Sequence, residues 1–526
     1  MMPHRLALGP LPTDLAASLR CLTVPAREGA GERERIPVEA PFTGQTIAWV
    51  YAGTEEDVLE AFARARAAQA AWRTVSPAQR RVIFERFHDA VLRHRDLLCD
   101  IVQLETGKNR ASAFDEVMDV ATNARYYARH AEKFLAPRRR RGAMPVLSRS
   151  REYHHPHGVV GQISPWNYPL SLSICDAIPA LLAGNAVVLK PDSATPFTAL
   201  IAYQLLFDAG LPRDLAQIVT GSGAVVGGAV AQQCDYLMFT GSSATGALLG
   251  ETAGRRLIGY SAELGGKNPM IVCADADLDA AVRCAIDGCF SNSGQLCVSI
   301  ERIYVEKPVY AAFRDAFVQR VQQLSHVHGF AWDADMGSLA SATQLETVHS
   351  FVEGACAHGA QVLTGGRARP DLGPYFYEAT VLCDVPEQAR LHTEEVFGPV
   401  VYLQPVEDMQ EAIAAANDTR YGLNASVCAA PATAWELAPQ LTSGSVAIND
   451  GYTAAWAAID NPMGGRKDSG LAHRHGREGM MKYTAAQNIT EQRFLSIRGP
   501  QRLSRRAYAR IMTAALRLGK ALRVLP

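Results

Sequence analysis

The stretch Gly158–Lys190, GVVGQISPWNYPLSLSICDAIPALLAGNAVVLK, decides the fold class. Val159 to Ile163 is a short apolar run of strand character that stops before Pro165, since proline has no N–H to give a sheet ladder. Trp166 and Asn167 then follow on a forced turn. Ala177 to Leu182 reads as a short apolar helix, and Ala186 to Leu189 as a second buried strand ending in Lys190-Pro191. The pattern continues outward. A helix is predicted over Thr198 to Ala209, closed by Gly210, then strands over Gln217 to Val219 and Tyr236 to Phe239. Strands alternating with helices at this spacing predict an α/β fold with an open, largely parallel sheet. Ligands of such sheets sit at the carboxyl ends of the strands, where Lys190, Gly241 and Ser242 fall.

A second α/β block follows Gly266, with strands expected at Pro269 to Val272, Ile303 to Val305, Val400 to Leu403 and Ser445 to Ile448. Its helices are expected at Tyr310 to Leu324, Gln344 to His358 and Met409 to Asn417. Upstream, Glu55 to Leu135 is helical in pattern, and the residues up to about Arg35 read as a poorly ordered arm or a partner-contacting extension. The division expected is 1–135 and 154–265 for cofactor binding, 266–468 for catalysis, 136–153 and 469–500 for oligomerisation, and 501–526 as a basic amphipathic tail. That tail carries seven arginines and lysines, from Arg502 to Arg523, and no acid. Such a helix can lie on an anionic membrane surface; packing on a partner subunit or on its own domain is the favoured reading.

Three residues carry chemistry. Cys297, in FSNSGQLCVSIER (Phe290–Arg302), stands where a helical run gives way to a strand, with small neighbours that let backbone amides approach a reacting oxygen. Taken alone, a cysteine in so long a chain is more often a buried small hydrophobe. Glu263, ahead of Leu-Gly-Gly-Lys, is placed to be a partly desolvated general base, or else a capping carboxylate. Asn167 is either a turn residue or a donor to an oxyanion. The loop FTGSSATG, with Gly241, Ser242 and Gly246, departs from the usual dinucleotide fingerprint, although amides at the start of the next helix still favour an anion.

Together with VLKPDSATP, ELGGK, EEVFGPV and GGRKDSG, these segments resemble the NAD(P)-dependent aldehyde dehydrogenase superfamily from about Pro41 to Thr490. The likeness is greatest to bacterial NADP-linked succinate-semialdehyde dehydrogenases. The resemblance implies a Rossmann-type cofactor domain, an α/β catalytic domain and a small oligomerisation sheet built from the hairpin after Pro137 and the strand-like Gln487 to Phe494. It implies Cys297 as nucleophile, Glu263 as base and Asn167 as oxyanion donor. Trp166, Asn167 and Leu264 would line the cofactor cleft, with Lys190, Pro191, Asp192 and Ser193 near the adenosine ribose. Gly241, Ser242 and Gly246 would lie by the pyrophosphate, and Glu395 and Phe397 by the nicotinamide.

NAD-preferring members often carry glutamate where this chain has Ser193. Serine removes a charge repulsion toward the 2′-phosphate and offers a hydroxyl donor, Asp192 is expected to face solvent, and NADP is therefore expected to be preferred with NAD accepted. The arginines that typically hold the substrate carboxylate align with Ser291 and Cys175. Another cation, Arg302 or Arg466, would have to serve, or the substrate is a less polar aldehyde. A CoA-acylating or catalytically silent relative is disfavoured by the presence of all three catalytic residues.

The remaining composition is that of an ordinary globular enzyme. The 526 residues are 48% hydrophobic and 20% charged, and the net charge of −1 argues against a nucleic-acid partner. Eleven cysteines without a C-x-x-C spacing suggest neither a disulfide scaffold nor zinc, and His154, His155 and His157 lack the further ligands that a metal needs. A cytoplasmic homodimer or homotetramer is expected.

Overall fold

Two large sheets organise the chain in the computed structural model, which describes residues 3–27, 33–142, 148–326, 329–493, 498–500 and 502–523. The first sheet runs in the order Gly470–Leu471, Gly259–Glu263, Tyr236–Thr240, Val159–Ile163, Ala186–Lys190, Ala216–Ile218. All its neighbours are parallel except Gly470–Leu471, which lies antiparallel to Gly259–Glu263. Its three central strands are buried at every position. That is why they read as continuous apolar runs and not as alternating ones. From Val159–Ile163 the chain builds outward on one side, then returns to place Tyr236–Thr240 on the other. A crevice opens at the carboxyl ends of these two strands, where the winding reverses. The helices Glu55–Trp72, Pro77–Arg93, Arg95–Thr106 and Arg110–Leu135 cover this unit and share its core. Thr54 and Ser76 start two of them with reciprocal capping boxes.

The second sheet has the order Gln361–Thr364, Thr380–Cys383, Val400–Val406, Ile300–Glu306, Asn268–Val272, Asn424–Cys428, Ser445–Ile448. Only its first pair is antiparallel. A third sheet joins Thr484–Gln492, Ser148–Pro156 and Arg138–Arg140. His154, His155 and His157 spend their ring nitrogens there or beside it, on Glu152 and Thr484, on Gln487, and on the Lys482 carbonyl. The hairpin turn at 143–147 lies outside the described residues, as does Phe494.

Three expectations need correction. The N-terminal segment is not a loose arm. Thr13–Arg20 is a helix that turns Leu15 and Leu19, four residues apart, into the first core, and Leu6 and Leu11 ahead of it are buried there too; residues 28–32 lie outside the description. The segment 469–500 does not serve one sheet only. Gly470–Leu471 pairs with Ala262 and Glu263, and Met480 and Tyr483 join the first core. The tail forms a helix, Arg505–Ala521, in which no residue is buried and Ile511, Leu516 and Leu518 are exposed, so it buries no apolar face in the core of its own domain. Among the described residues no helix is long and apolar enough to cross a membrane.

Candidate active site

Cys297 follows a break in the chain. The helix Leu278–Phe290 ends, and Asn292, Ser293 and Gly294 then adopt left-handed φ values of 49°, 54° and 71° before Ile300–Glu306 begins. Two non-glycine residues held in this region mark an over-determined, strained turn. At Gly294 a Cβ would lie 2.1 Å from the Gly398 carbonyl, so only glycine fits. Asn268 Nδ2 donates to the Cys297 carbonyl at 2.8 Å and fixes the backbone there.

Two cavities meet at Cys297, and Asn167, Leu172 and Cys297 belong to both. The first, about 60 Å³, reaches past Tyr168, Cys175, Asp176, Tyr452 and Arg474. The second, about 220 Å³, reaches past Trp166, Gly241, Ser242, Leu264, Glu395 and Phe397. Cys297 is half-buried, and burial, helped by Glu395 and Glu263, pushes its thiol up to about 12, while Arg474 pulls the other way. Glu263 ends its strand with its carboxylate in the second cavity. Gly241 N donates to its backbone carbonyl at 3.1 Å, and its Oε1 has no hydrogen-bond partner. Burial pushes its pKa up to about 8. Asn167 is buried, and its Nδ2 donates to the Gln295 carbonyl at 3.1 Å, which leaves the second amide hydrogen available.

The predicted cofactor residues divide between the wall and the rim of the second cavity. Trp166 meets Phe397 edge to face at 5.5 Å. Glu395 accepts from Gly266 N at 2.7 Å, and burial raises it to about 8. Ser242 caps the helix Ser243–Arg256 beside Gly241, leaving that helix's first amides for an anion. Gly246 packs on Leu264, where a Cβ would come within 2.5 Å. Lys190 is buried at the end of its strand, and that burial lowers its pKa. Asp192 is partly exposed at the rim, and its carboxylate accepts from Ala194 N at 2.9 Å. Ser193 departs from expectation: its hydroxyl already donates to the Gly221 carbonyl at 2.9 Å. An unpartnered buried carboxylate, free helix amides and an aromatic cleft suit a nicotinamide dinucleotide.

Neither cation named as a substitute anchor reaches the site. Arg302 is fully buried and donates to the Lys267, Ala415 and Ala416 carbonyls; Arg466 is exposed. Ser291 turns its hydroxyl back to Asp287 O, whereas Cys175 does line the first cavity and donates to Asp119 at 3.4 Å.

The sequence also hid the residues that brace the site. Lys108 is fully buried, with Nζ donating to Glu116 at 2.6 Å and to the Asn167 carbonyl at 2.7 Å; Glu116 in turn accepts from Leu170 and Ser171 amides. Glu301 accepts from the amides of Val396 and Phe397 and pairs with Lys267 at 2.6 Å. Nothing in a one-dimensional reading separates a buried lysine from a surface one. Among the described residues no group of three or more His, Cys, Asp or Glu is arranged to hold a metal.

Residues 28–489 match the model of the aldehyde dehydrogenase family. A Mycolicibacterium smegmatis protein, provisionally named an NADP-dependent succinate-semialdehyde dehydrogenase, is 51% identical over 95% of this chain and 97% of its own length. The mitochondrial succinate-semialdehyde dehydrogenase of Oryza sativa is 35% identical, over 86% of each chain. Among solved structures, an Escherichia coli NADP-dependent enzyme superposes with a TM-score of 0.84 at 33% identity, covering 88% of this chain and 95% of that one. Betaine aldehyde dehydrogenase from Staphylococcus aureus, in complex with NAD+, gives 0.84 at 31% identity, covering 89% and 94%. With its thiol, amide and carboxylate converging between two α/β sheets, and with these likenesses along nearly its whole length, the chain belongs to the aldehyde dehydrogenase family.

Proposed function

We propose that this protein oxidises succinate semialdehyde to succinate, with NADP as the preferred oxidant and NAD accepted. The observation that carries the chemistry is the junction at Cys297, which opens to one cavity sized for a small aldehyde and to another with the walls of a dinucleotide site. The names of the relatives support the substrate and cofactor.

Cys297 attacks the aldehyde carbon through its thiolate, the minor form that burial disfavours and the Arg474 charge favours, to form a thiohemiacetal. The oxyanion that develops accepts from the free hydrogen of Asn167 Nδ2 and from the Cys297 amide. The nicotinamide, when bound, supplies the acceptor for the hydride, and Cys297 is left carrying a thioester. Glu263, in its ionised form, takes a proton from the water that attacks this thioester, releasing succinate and the free thiol. Lys108 holds the Asn167 carbonyl, and Glu301 holds the backbone of Phe397, so each acts by positioning. Trp166, Leu264, Glu395 and Phe397 would enclose the nicotinamide end, Gly241, Ser242 and Gly246 the pyrophosphate, and Lys190, Pro191, Asp192 and Ser193 the adenosine ribose.

The apolar side chains of Leu172, Leu296, Val298 and Trp456 in the first cavity favour a second reading, a less polar aldehyde. A panel of aldehydes assayed with NADP and with NAD decides between them. Acid-quenched enzyme should carry a succinyl mass on the peptide containing Cys297. Absence of that adduct, or faster use of butanal than of succinate semialdehyde, overturns the reading.

The protein is further expected to act in the cytoplasm as a homodimer or homotetramer. All eleven cysteines are free, which suits a reducing compartment. Thr484–Gln492 is an exposed edge strand of nine residues, and such an edge is a liability unless a second copy pairs with it. Sedimentation that finds a stable, active monomer would refute the assembly.

A further inference from the structure

We propose that Arg474 holds the substrate carboxylate, entering the cavity from the late loop in place of the arginines missing at Cys175 and Ser291. The inference rests on succinate semialdehyde as the substrate. Among the described residues lining the first cavity Arg474 is the sole cation, since burial keeps His475 neutral with a pKa lowered to about 4. An antiparallel bridge between Met463 and Arg474 fixes its backbone. Its side chain is only 15% exposed.

One guanidinium nitrogen, Nη2, donates to Asp176; Nε and Nη1 have no partner among the described residues, so charged N–H donors remain for a substrate carboxylate. Asp176 does not cancel the charge, because it is shared. Lys482 Nζ at 3.1 Å and the Tyr483 hydroxyl at 3.0 Å also serve its carboxylate, so one anion faces two cations. Cys175 is small, its thiol turns to Asp119, and it lines the same cavity as Arg474. Asp119 and Asp115 line the same cavity, and Asp119 accepts from Asn123 at 2.8 Å. These two acids oppose an anionic substrate anywhere except against Arg474, and they make the discrimination testable.

The experiment measures kcat and KM for three aldehydes of one chain length: succinate semialdehyde, butanal and 4-aminobutanal. Wild type, Arg474→Gln and Arg474→Lys are compared. In Arg474→Gln the ratio of kcat/KM for succinate semialdehyde over butanal should fall about 100-fold, mostly through KM, the loss expected for charge-assisted hydrogen bonds to a carboxylate. Arg474→Lys should recover part of that ratio. Succinate should also inhibit Arg474→Gln more weakly than wild type. An equal loss for succinate semialdehyde and butanal would mean that Arg474 only supports Asp176, and the proposal falls while the substrate reading stands. A wild type that prefers 4-aminobutanal would mean that the acids choose the substrate, and both readings fall.

Discussion

The two cavities that meet at Cys297 are built on different principles. The larger one, proposed for the cofactor, is framed by the backbone, at strand ends, the Gly241–Ser242 turn, the start of Ser243–Arg256 and the close approach that excludes a Cβ at Gly246, with Trp166 and Phe397 closing one wall. The substrate side is made by side chains from separate elements: Asp119 on Arg110–Leu135, Cys175 and Asp176 after Pro169–Ile174, Tyr452 beside Thr453–Ala457, and Arg474 on a late loop. Backbone-built sites change little with single substitutions, because the sheet dictates them. A side-chain-built site changes with each residue, which is how one fold serves many aldehydes.

The largest effect should come where both sides share a residue. Cys297→Ala should lower turnover by at least about 10⁴-fold with any aldehyde, since the other thiol on the cavity wall, Cys175, is committed to Asp119 and kept protonated by burial. Steady-state cofactor reduction checks this, and measurable acyl transfer to another residue would contradict it. Glu263→Gln acts on one half-reaction. It should leave one equivalent of rapid cofactor reduction and slow the later turnover by about 10²- to 10⁴-fold. The pH profile has a definite sign. A carboxylate raised to about 8 is protonated below that value and basic above it. Turnover should therefore climb as pH rises through about 8, and the climb should vanish in Glu263→Gln. A wild type already at its plateau at pH 6 would show that another group activates the water.

The same contrast explains what the sequence disclosed. Strands buried on both faces, such as Ala186–Lys190, announce themselves as apolar runs, and Gly-rich turns mark where a ligand nears the backbone. Cys297, Glu263 and Asn167 were legible because each stands at such a boundary. Arg474, Lys108 and Glu116 were not, because their meaning is a pairing across the chain: Lys108 meets the Asn167 carbonyl, and Arg474 meets Asp176. The N-terminal helix was missed for a related reason. Its leucines look sparse in a line and cohere only on a helix laid against a core.

A buried pair found only by folding should matter in proportion. Lys108→Met leaves Glu116 charged and buried without its partner, at a cost of about 3–5 kcal/mol in stability. Denaturant unfolding should show the loss, and the double variant Lys108→Met/Glu116→Leu should regain part of it. Unchanged stability in the single variant would mean that Glu116 takes up a proton at no cost to the fold.

The smallest effect tests whether the backbone-built side carries any side-chain selectivity. Ser193 stands three residues after Lys190, half-buried, with its hydroxyl committed to Gly221 O at 2.9 Å. The serine thus contributes chiefly by not being an acid, and Lys190 supplies the positive charge. Asp192 is the nearest acid in sequence, but its carboxylate is engaged with Ala194 N. In Ser193→Glu a new carboxylate would face the 2′-phosphate of NADP. Two unit charges ~4 Å apart repel by about 4 kcal/mol at an effective dielectric of ~20. Water at this rim reduces that to about 1.4 kcal/mol, a tenfold change. The Michaelis constant for NADP should rise about tenfold, while that for NAD stays level or falls, because the glutamate accepts from the ribose hydroxyls. High salt should shrink the NADP effect and leave the NAD value in place. Equal changes for the two cofactors would show that the substitution merely disturbs the turn after Lys190.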